Sequence, residues 1–275
     1  MKDKAFQERM KITGKKNLGS DYFKLSLFSL KISRLAKPGQ FVQIKVTDTD
    51  EPLLRRPLSI HSVEGHKSGV IELLYKVTGK GTELLSKKKP GEFLDVIGPL
   101  GNGFSYPASQ RPSVPAYILV AGGMGVAPLV FLAEKIVSHK VTRSQGHKVI
   151  VLIGAKTKSH ILCGKEFRKI GCEVRIATDD GSKGLKGKVT ELLNKMVTRS
   201  PGHQGANIYA CGPEPMLRAV SKISAAYNIP AQISLEAHMS CGFGACLGCV
   251  VNTRGGYKRV CKEGPVFLAE DIVWG

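Results

Sequence analysis

Ala116-Tyr117-Ile118-Leu119-Val120-Ala121-Gly122-Gly123-Met124-Gly125-Val126-Ala127-Pro128 is the stretch that decides how this chain folds. Its first six residues make an apolar run of strand length, the pattern of a parallel strand buried on both faces. The glycines that follow permit a tight turn, and Leu129 to Val137 continues as a helical segment. Pro128 suits the first turn of that helix, where a missing N–H costs nothing. Strand, glycine turn and helix start together aim backbone N–H groups and the positive end of a helix dipole at one point, the geometry that receives a pyrophosphate. Pro128 stands where the third glycine of G-x-G-x-x-G would be, so the motif departs from the dinucleotide fingerprint at that place.

Downstream, Lys148 to Ile153, Glu173 to Ala177 and Asn207 to Ala210 read as three further buried strands with helical segments between them. Such alternation predicts a parallel sheet that binds its ligand at the strands' C-terminal ends. The fourth strand opens onto Cys211-Gly212-Pro213, which places Cys211 beside a ligand in the crevice, although a lone buried thiol also reads as a small hydrophobe. An NAD-preferring protein usually carries an acid after its second strand. Here that place reads Gly154-Ala155-Lys156-Thr157-Lys158, which is compatible with a 2′-phosphate, while Asp179 and Asp180 after the third strand offer an adenosine contact instead. NADH and NADPH both stay open on these residues.

Upstream, residues 1 to about 105 show short strands and turns with no long helical period. Phe23, Leu25 and Leu27 alternate with polar residues, Phe41, Gln43, Ile44 and Val46 less strictly, and Pro38-Gly39 and Pro90-Gly91 mark turns. The spacing predicts an antiparallel barrel. Two stretches add chemistry. In Leu54-Arg55-Arg56-Pro57-Leu58-Ser59-Ile60 a guanidinium, a fixed proline bend and a hydroxyl suit a phosphate-bearing ligand. In Tyr75-Lys76-Val77-Thr78-Gly79-Lys80-Gly81-Thr82-Glu83 a strand ends in a glycine turn, with a helix expected to open at Thr82 as N-cap. Each alone is also a common surface turn. Residues 105 to 115, rich in proline and serine, read as the joint to the sheet domain.

At the other end, Cys241-Gly242-Phe243-Gly244-Ala245-Cys246-Leu247-Gly248-Cys249 is followed by eleven residues and Cys261, in the pattern C-x4-C-x2-C-x11-C. The opening spacing is that of plant-type [2Fe–2S] loops. Small residues let the backbone wrap closely and turn N–H groups toward sulfur. Four cysteines also bind zinc, but zinc sites usually present two separated C-x2-C knuckles, whereas three ligands crowd one glycine-rich loop here. Glu236 and His238 precede the loop and read as support for it or as ordinary surface residues.

Composition narrows the class. The length suits two domains and a small appendage. The N-terminus shows no apolar signal segment and no run reaches membrane-spanning length, so neither export nor a membrane is expected. Seven cysteines, four of them clustered, argue for a reducing, cytoplasmic interior with Cys163, Cys172 and Cys211 as free thiols. The net charge of +19 comes from scattered lysines without interleaved aromatics, which reads as a basic surface suited to an acidic partner and not to nucleic acid.

Taken in order, Arg56-x-x-Ser59, Gly79-x-Gly81-Thr82, the Gly122 to Pro128 turn, Asp180-Gly-Ser, Cys211-Gly-Pro and the cysteine loop cover nearly the whole chain. The set resembles the ferredoxin–NADP reductase superfamily. Arg56 to Ile60 and Glu236 to Cys249 resemble more closely its branch of electron-transfer subunits of NAD-dependent dihydroorotate dehydrogenases. The resemblance implies an antiparallel FAD-binding β-barrel (1–108), a parallel-sheet NAD(P)-binding α/β domain (116–232) and a small [2Fe–2S] domain (233–275). It implies that Arg56, Pro57, Leu58 and Ser59 hold FAD, that Leu74, Tyr75 and Lys76 line the flavin, and that Gly81 and Thr82 meet its pyrophosphate. Leu58 replaces a tyrosine that stacks on the flavin in many superfamily members, which leaves Tyr75 as the candidate. Gly122, Gly123, Gly125 and Pro128 would cradle the dinucleotide, with Asp180 at its adenosine and Cys211 flanking the nicotinamide. Cys241, Cys246, Cys249 and Cys261 would ligate the cluster. The implied cofactors are FAD, [2Fe–2S] and NAD(H), and the implied partner is an FMN-containing catalytic subunit in a hetero-oligomer of two copies each, a heterotetramer. The rivals are a reductase serving a ferredoxin, sulfite-reductase or oxygenase partner, and a zinc-stapled basic nucleotide-binding module.

Overall fold

Alternation of apolar and polar side chains shapes the first hundred residues. The computed structural model describes residues 5–19, 21–64, 68–106, 116–138, 148–199 and 205–275. Strands β1 (Phe6–Gly19), β2 (Tyr22–Phe28), β3 (Phe41–Lys45), β4 (Arg56–Glu64), β5 (Val70–Lys76) and β6 (Phe93–Leu100) close into an antiparallel barrel in the order β1-β2-β5-β4-β3-β6. Met10 and Ile12, Leu25 and Leu27, Ile71 and Leu73, and Leu94 and Val96 are all buried, each pair two residues apart on one face of its strand. Cross-strand partners such as Leu25 with Leu73 and Ile44 with Val96 bring those faces together as the barrel's interior. Closure leaves no unpaired sheet edge. Helix α1 (Leu30–Leu35) is capped by Ser29, whose Oγ accepts the Ile32 N–H at 3.0 Å. Helix α2 (Lys80–Lys87) follows β5.

The second half builds a sheet from β7 (Ala116–Gly122), β8 (Lys148–Ala155), β9 (Glu173–Thr178), β10 (Leu185–Lys186), β11 (Asn207–Cys211), β12 (Ala231–Ser234) and β15 (Val266–Leu268), with a separate hairpin of β13 (Val250–Thr253) and β14 (Gly256–Arg259). The order is β10-β9-β8-β7-β11-β12-β15, parallel except for antiparallel β15 at the edge. Every residue of β7 is buried, as its unbroken apolar run predicts for a strand covered on both faces. The covering helices are α3 (Val126–Ser138), α4 (Gly164–Ile170), α5 (Val189–Arg199) and α6 (Glu214–Ala226). From β7 the chain proceeds outward through β8 and β9, then returns to the other side of β7 as β11. The strand order therefore reverses between β7 and β11, and their C-terminal ends open the crevice where such sheets bind ligands.

The chain divides into two compact units: the barrel region up to Gly103 with Glu236–Val251 and Tyr257–Pro265, and Phe104–Leu235 with Asn252–Gly256 and Val266–Gly275. The expected joint at 105–115 lies outside the described residues from 107 onward. Ser105 is held on the sheet side by Gln232, which accepts its N–H at 2.8 Å and donates to its carbonyl at 2.6 Å. Among the described residues no helix is long and apolar enough to cross a membrane.

Candidate cofactor sites

In the barrel the two adjacent arginines have separate duties. Arg55 forks onto Asp95, with Nη2 at 2.8 Å and Nη1 at 3.1 Å from the carboxylate and Nη1 at 2.9 Å from the Asp95 carbonyl. Burial raises the Asp95 carboxyl, but its bonds from Arg55 and Gln7 outweigh this and hold it below the usual carboxylate range. Arg56 instead donates to the Leu54 carbonyl and lies over Gly81. A Cβ on Gly81 would come within 2.1 Å of Arg56 Nε, so glycine is what admits the guanidinium there. Pro57, Leu58 and Ser59 follow on β4, half-buried, opposite Gln43, Val42 and Phe41 of β3.

Thr82 is not the N-cap of α2. The helix starts at Lys80 with Gly79 as its cap residue, and Thr82 occupies the third helical position. Its hydroxyl accepts the N–H groups of Thr78 at 2.9 Å and Gly79 at 3.2 Å, reaching back to close the turn. The first helical bond is Glu83 N–H to Gly79 C=O at 2.9 Å, so the N–H groups of Lys80, Gly81 and Thr82 are left for an anion. On β5, Leu74 and Tyr75 are buried and Lys76 is half-buried. Strand alternation puts Tyr75 on the face of Ile71 and Leu73, opposite Leu74 and Lys76. The Tyr75 ring stacks on Phe23 at 5.8 Å, and its buried hydroxyl has no hydrogen-bond partner among the described residues.

At the crevice, the turns after β7 and β11 meet backbone to backbone. A Cβ on Gly125 would stand 1.9 Å from the Cys211 carbonyl oxygen, and one on Gly122 would stand 2.7 Å from Met216 Sδ. Gly123, at φ +54°, differs: a Cβ there would meet nothing within 4 Å, so this part of the turn faces open space. Gly123–Gly125 form a short 3₁₀ turn and α3 begins at Val126, three residues before the expected Leu129. Pro128 sits in that helix's first turn, as anticipated. Cys211 is buried as the last residue of β11. Asp180 is exposed after β9, where its Oδ1 accepts the Ser182 N–H at 2.9 Å and hydroxyl at 2.7 Å, bonds that lower its pKa. Lys156 and Lys158 are exposed beside it, with Lys158 N–H donating to Ser182 Oγ at 2.8 Å.

The four clustered cysteines converge within the barrel unit. Burial pushes the Cys241 thiol up, but backbone N–H groups of Cys246, Phe243 and Ala245 and the Cys246 thiol more than offset this and bring it to about 6. Burial, the Cys249 thiol and the charges of Cys249 and Cys241 push Cys261 up to about 12. These effects link Cys241 with Cys246, Cys261 with Cys249, and Cys261 with Cys241. Backbone donors already face them: Ala245 N–H lies 3.3 Å from Cys241 Sγ and Cys261 N–H lies 3.4 Å from Cys249 Sγ. Cys249 and Cys261 are buried, while Cys246 is exposed between the exposed side chains of Phe243 and Leu247. Glu236 and His238 are exposed.

Two features of this site escape a sequence reading. Arg259 and Glu263 clamp the turn that carries Cys261: Arg259 Nε lies 3.0 Å from the Glu263 carboxylate, and Arg259 Nη1 donates to the Gly244 carbonyl at 2.8 Å. The Arg259 guanidinium holds the Glu263 carboxyl down at about 2. The end of β6 anchors the same turn, with Asn102 N–H donating to the Gly264 carbonyl at 2.6 Å and Asn102 Nδ2 to the Glu263 carbonyl at 2.9 Å. An arginine four residues before a glutamate is the only local signal, and it is a common one. The second feature, Gln43, has no sequence signal.

Known protein families match the segments that carry these residues. Residues 9–106 match the oxidoreductase FAD-binding domain and residues 119–222 the oxidoreductase NAD-binding domain. Residues 236–273 match the iron–sulfur cluster binding domain of dihydroorotate dehydrogenase B. The dihydroorotate dehydrogenase B (NAD(+)) electron transfer subunit of Desulforamulus reducens is 44% identical over 247 residues, 88% of this chain and 89% of the relative. The chain belongs to that family of electron transfer subunits. The Bacillus caldolyticus electron transfer subunit is 40% identical over 270 residues, 97% of this chain and 98% of the relative. Among solved structures, a chain of an NADH-dependent reduced ferredoxin–NADP oxidoreductase studied for flavin-based electron bifurcation superposes with a TM-score of 0.80 at 30% identity, covering 96% of this chain and 90% of that one.

An electron transfer subunit of this family carries FAD, NAD(H) and an iron–sulfur cluster, and the local structure fits each group. The space above Gly81 is kept for a guanidinium, the helix start beside it has free N–H groups, and the turn at Gly123 is open. Four cysteines, two of whose sulfurs already face backbone N–H groups, are the donor set of a cluster. The iron–sulfur match removes the zinc alternative that spacing had left open.

Proposed function

We propose that this chain passes electrons between NAD(H) and the FMN of a dihydroorotate dehydrogenase catalytic subunit, within the assembly that makes orotate for pyrimidine (UMP) biosynthesis. The observation that carries this reading is the dihydroorotate dehydrogenase-type cysteine segment, with backbone N–H groups turned to the Cys241 and Cys249 sulfurs, on a chain that also has FAD- and NAD-binding domains. NAD(H) exchanges a hydride, a [2Fe–2S] cluster exchanges single electrons, and bound flavin supplies the conversion between the two.

The chain's own residues bind and orient. Arg56, kept in place by the bare Gly81, neutralises FAD phosphate, and the N–H groups at the start of α2, propped by the Thr82 hydroxyl, meet its pyrophosphate. Pro57, Leu58 and Ser59 with Leu74 and Lys76 line the flavin, and Tyr75, whose ring turns inward onto Phe23, contributes its backbone. Gly122, Gly123, Gly125 and Pro128 cradle the dinucleotide, Asp180 stands at its adenosine, and Cys211 flanks the nicotinamide. Cys241, Cys246, Cys249 and Cys261 ligate the cluster. No proton needs to be taken or given by a side chain. Segments 1–108, 116–232 and 233–275 act as the FAD, NAD(P) and cluster modules. Phe243 and Leu247, exposed around Cys246, offer the apolar surface on which a catalytic subunit docks, in an assembly with two copies of each. Seven cysteines, none in a disulfide, fit a cytoplasmic location.

The likeness to the ferredoxin–NADP oxidoreductase chain favours a second reading, a reductase subunit with a ferredoxin partner. Co-expression with candidate partners separates the two. Co-purification with a flavin subunit that oxidises dihydroorotate with NAD supports the first. Failure to bind that subunit, with turnover of ferredoxin instead, refutes it.

A further inference from the structure

Gln43 lies in the middle of β3 and is fully buried, yet among the described residues neither its Nε2 nor its Oε1 has a hydrogen-bond partner. Its cross-strand neighbours, Pro57 on β4 and Ile97 on β6, carry no polar side chain. The other buried amide of this region shows what the fold does when an amide is purely structural. Gln40 accepts the Lys37 N–H at 2.8 Å and donates to the Gly101 carbonyl at 2.7 Å. A buried polar atom left unpaired costs about 1–3 kcal/mol, so a leucine or methionine at position 43 would serve the empty barrel better.

The direction in which this amide points identifies what completes it. A Cβ on Gly242 would fall 2.4 Å from Gln43 Nε2 and 2.5 Å from its Cγ, so the amide packs directly on the backbone of the residue that follows Cys241. Gly242 has φ +77°, and both its backbone and its missing side chain are suited to that approach. The amide thus stands at the wall of the cysteine loop with two N–H donors unspent. Thiolates and inorganic sulfide are acceptors, and the negative charge of a reduced cluster strengthens such bonds.

We propose that Gln43 is a potential-setting residue for the iron–sulfur cluster, its side-chain N–H donating to cluster sulfur from the barrel wall. The proposal rests on the reading that the four cysteines hold [2Fe–2S]. Removing a donor to sulfur disfavours the more negative, reduced state, so an apolar replacement lowers the reduction potential.

The test uses the full chain purified anaerobically with its cofactors. Protein made with glutamine labelled with ¹⁵N in the side-chain amide is reduced, and pulsed EPR reads nitrogen coupling to the cluster. A ¹⁵N coupling in the wild type that is absent from Gln43→Met, together with a lower cluster potential in that variant at unchanged iron, sulfide and FAD content, is expected. An intact cluster showing neither ¹⁵N coupling nor a shifted potential would overturn the proposal while leaving the cluster assignment standing. A shift confined to the flavin potential would overturn it in favour of a flavin contact. Wild-type protein without iron and sulfide would overturn the cluster reading and this proposal together. The wild-type coupling decides the matter even if the variant fails to fold.

Discussion

A missing methyl group at residue 81 governs where a charge can sit. The sequence pattern and its resemblance put Arg56 at the phosphate but assigned no duty to Arg55, because that duty depends on Asp95, forty residues away. Arg56 is left for the ligand, and a Cβ on Gly81 would displace its guanidinium. Gly81→Ala is therefore expected to weaken FAD binding nearly as much as Arg56→Ala, by about 10- to 100-fold for the loss of a charged hydrogen bond. Gly79→Ala, with no protein atom within 4 Å of its Cβ, leaves the Arg56 guanidinium in place and should cost less affinity than Gly81→Ala. Flavin titration of the apoprotein reads all three, and a Gly81→Ala protein that retains wild-type affinity would remove Arg56 from the phosphate. Cys172 offers a pH test at the same scale. Burial pushes its thiol up to about 12, whereas an unfolded cysteine titrates near about 8.5. Above that lower value the unfolded chain loses its proton first, so stability falls as pH rises between the two values. Urea midpoints should drop less from pH 8 to pH 10 in Cys172→Ala than in the wild type.

Among the elements, the turns after β7 and β11 owe their close approach to glycine. The apolar runs made β7, β8, β9 and β11 legible, since strands covered on both faces leave little doubt in composition. Their ends were less so. A 3₁₀ turn moved the start of α3 to Val126, and a hydroxyl that reaches backward moved the cap of α2 to Gly79. The edge strands β12 and β15 are short, and their pairing joins residues more than thirty positions apart, which no local pattern records. Gly125→Ala tests the crevice. Its Cβ would meet the Cys211 carbonyl, a backbone atom that cannot rotate away, so the two turns must separate. The expected result is a higher KM for NADH and a stability loss of about 1–3 kcal/mol, as for overpacking elsewhere. An unchanged KM would show that the turn does not shape the dinucleotide site.

For the molecule as a whole, the cysteine spacing made the cluster legible because three ligands share one loop. What holds that loop was not legible: the Asn102 contacts span more than 160 residues, and Gln43 meets Gly242 from the far end of the chain. The central claim is that one chain links a hydride carrier to a one-electron cluster through flavin. Anaerobic titration of the purified protein with NADH, followed by absorption and EPR, tests it most directly. The account predicts bleaching of the flavin band and the appearance of a reduced [2Fe–2S] signal that Cys249→Ser lacks. A protein whose flavin and cluster both stay oxidised under excess NADH would contradict it.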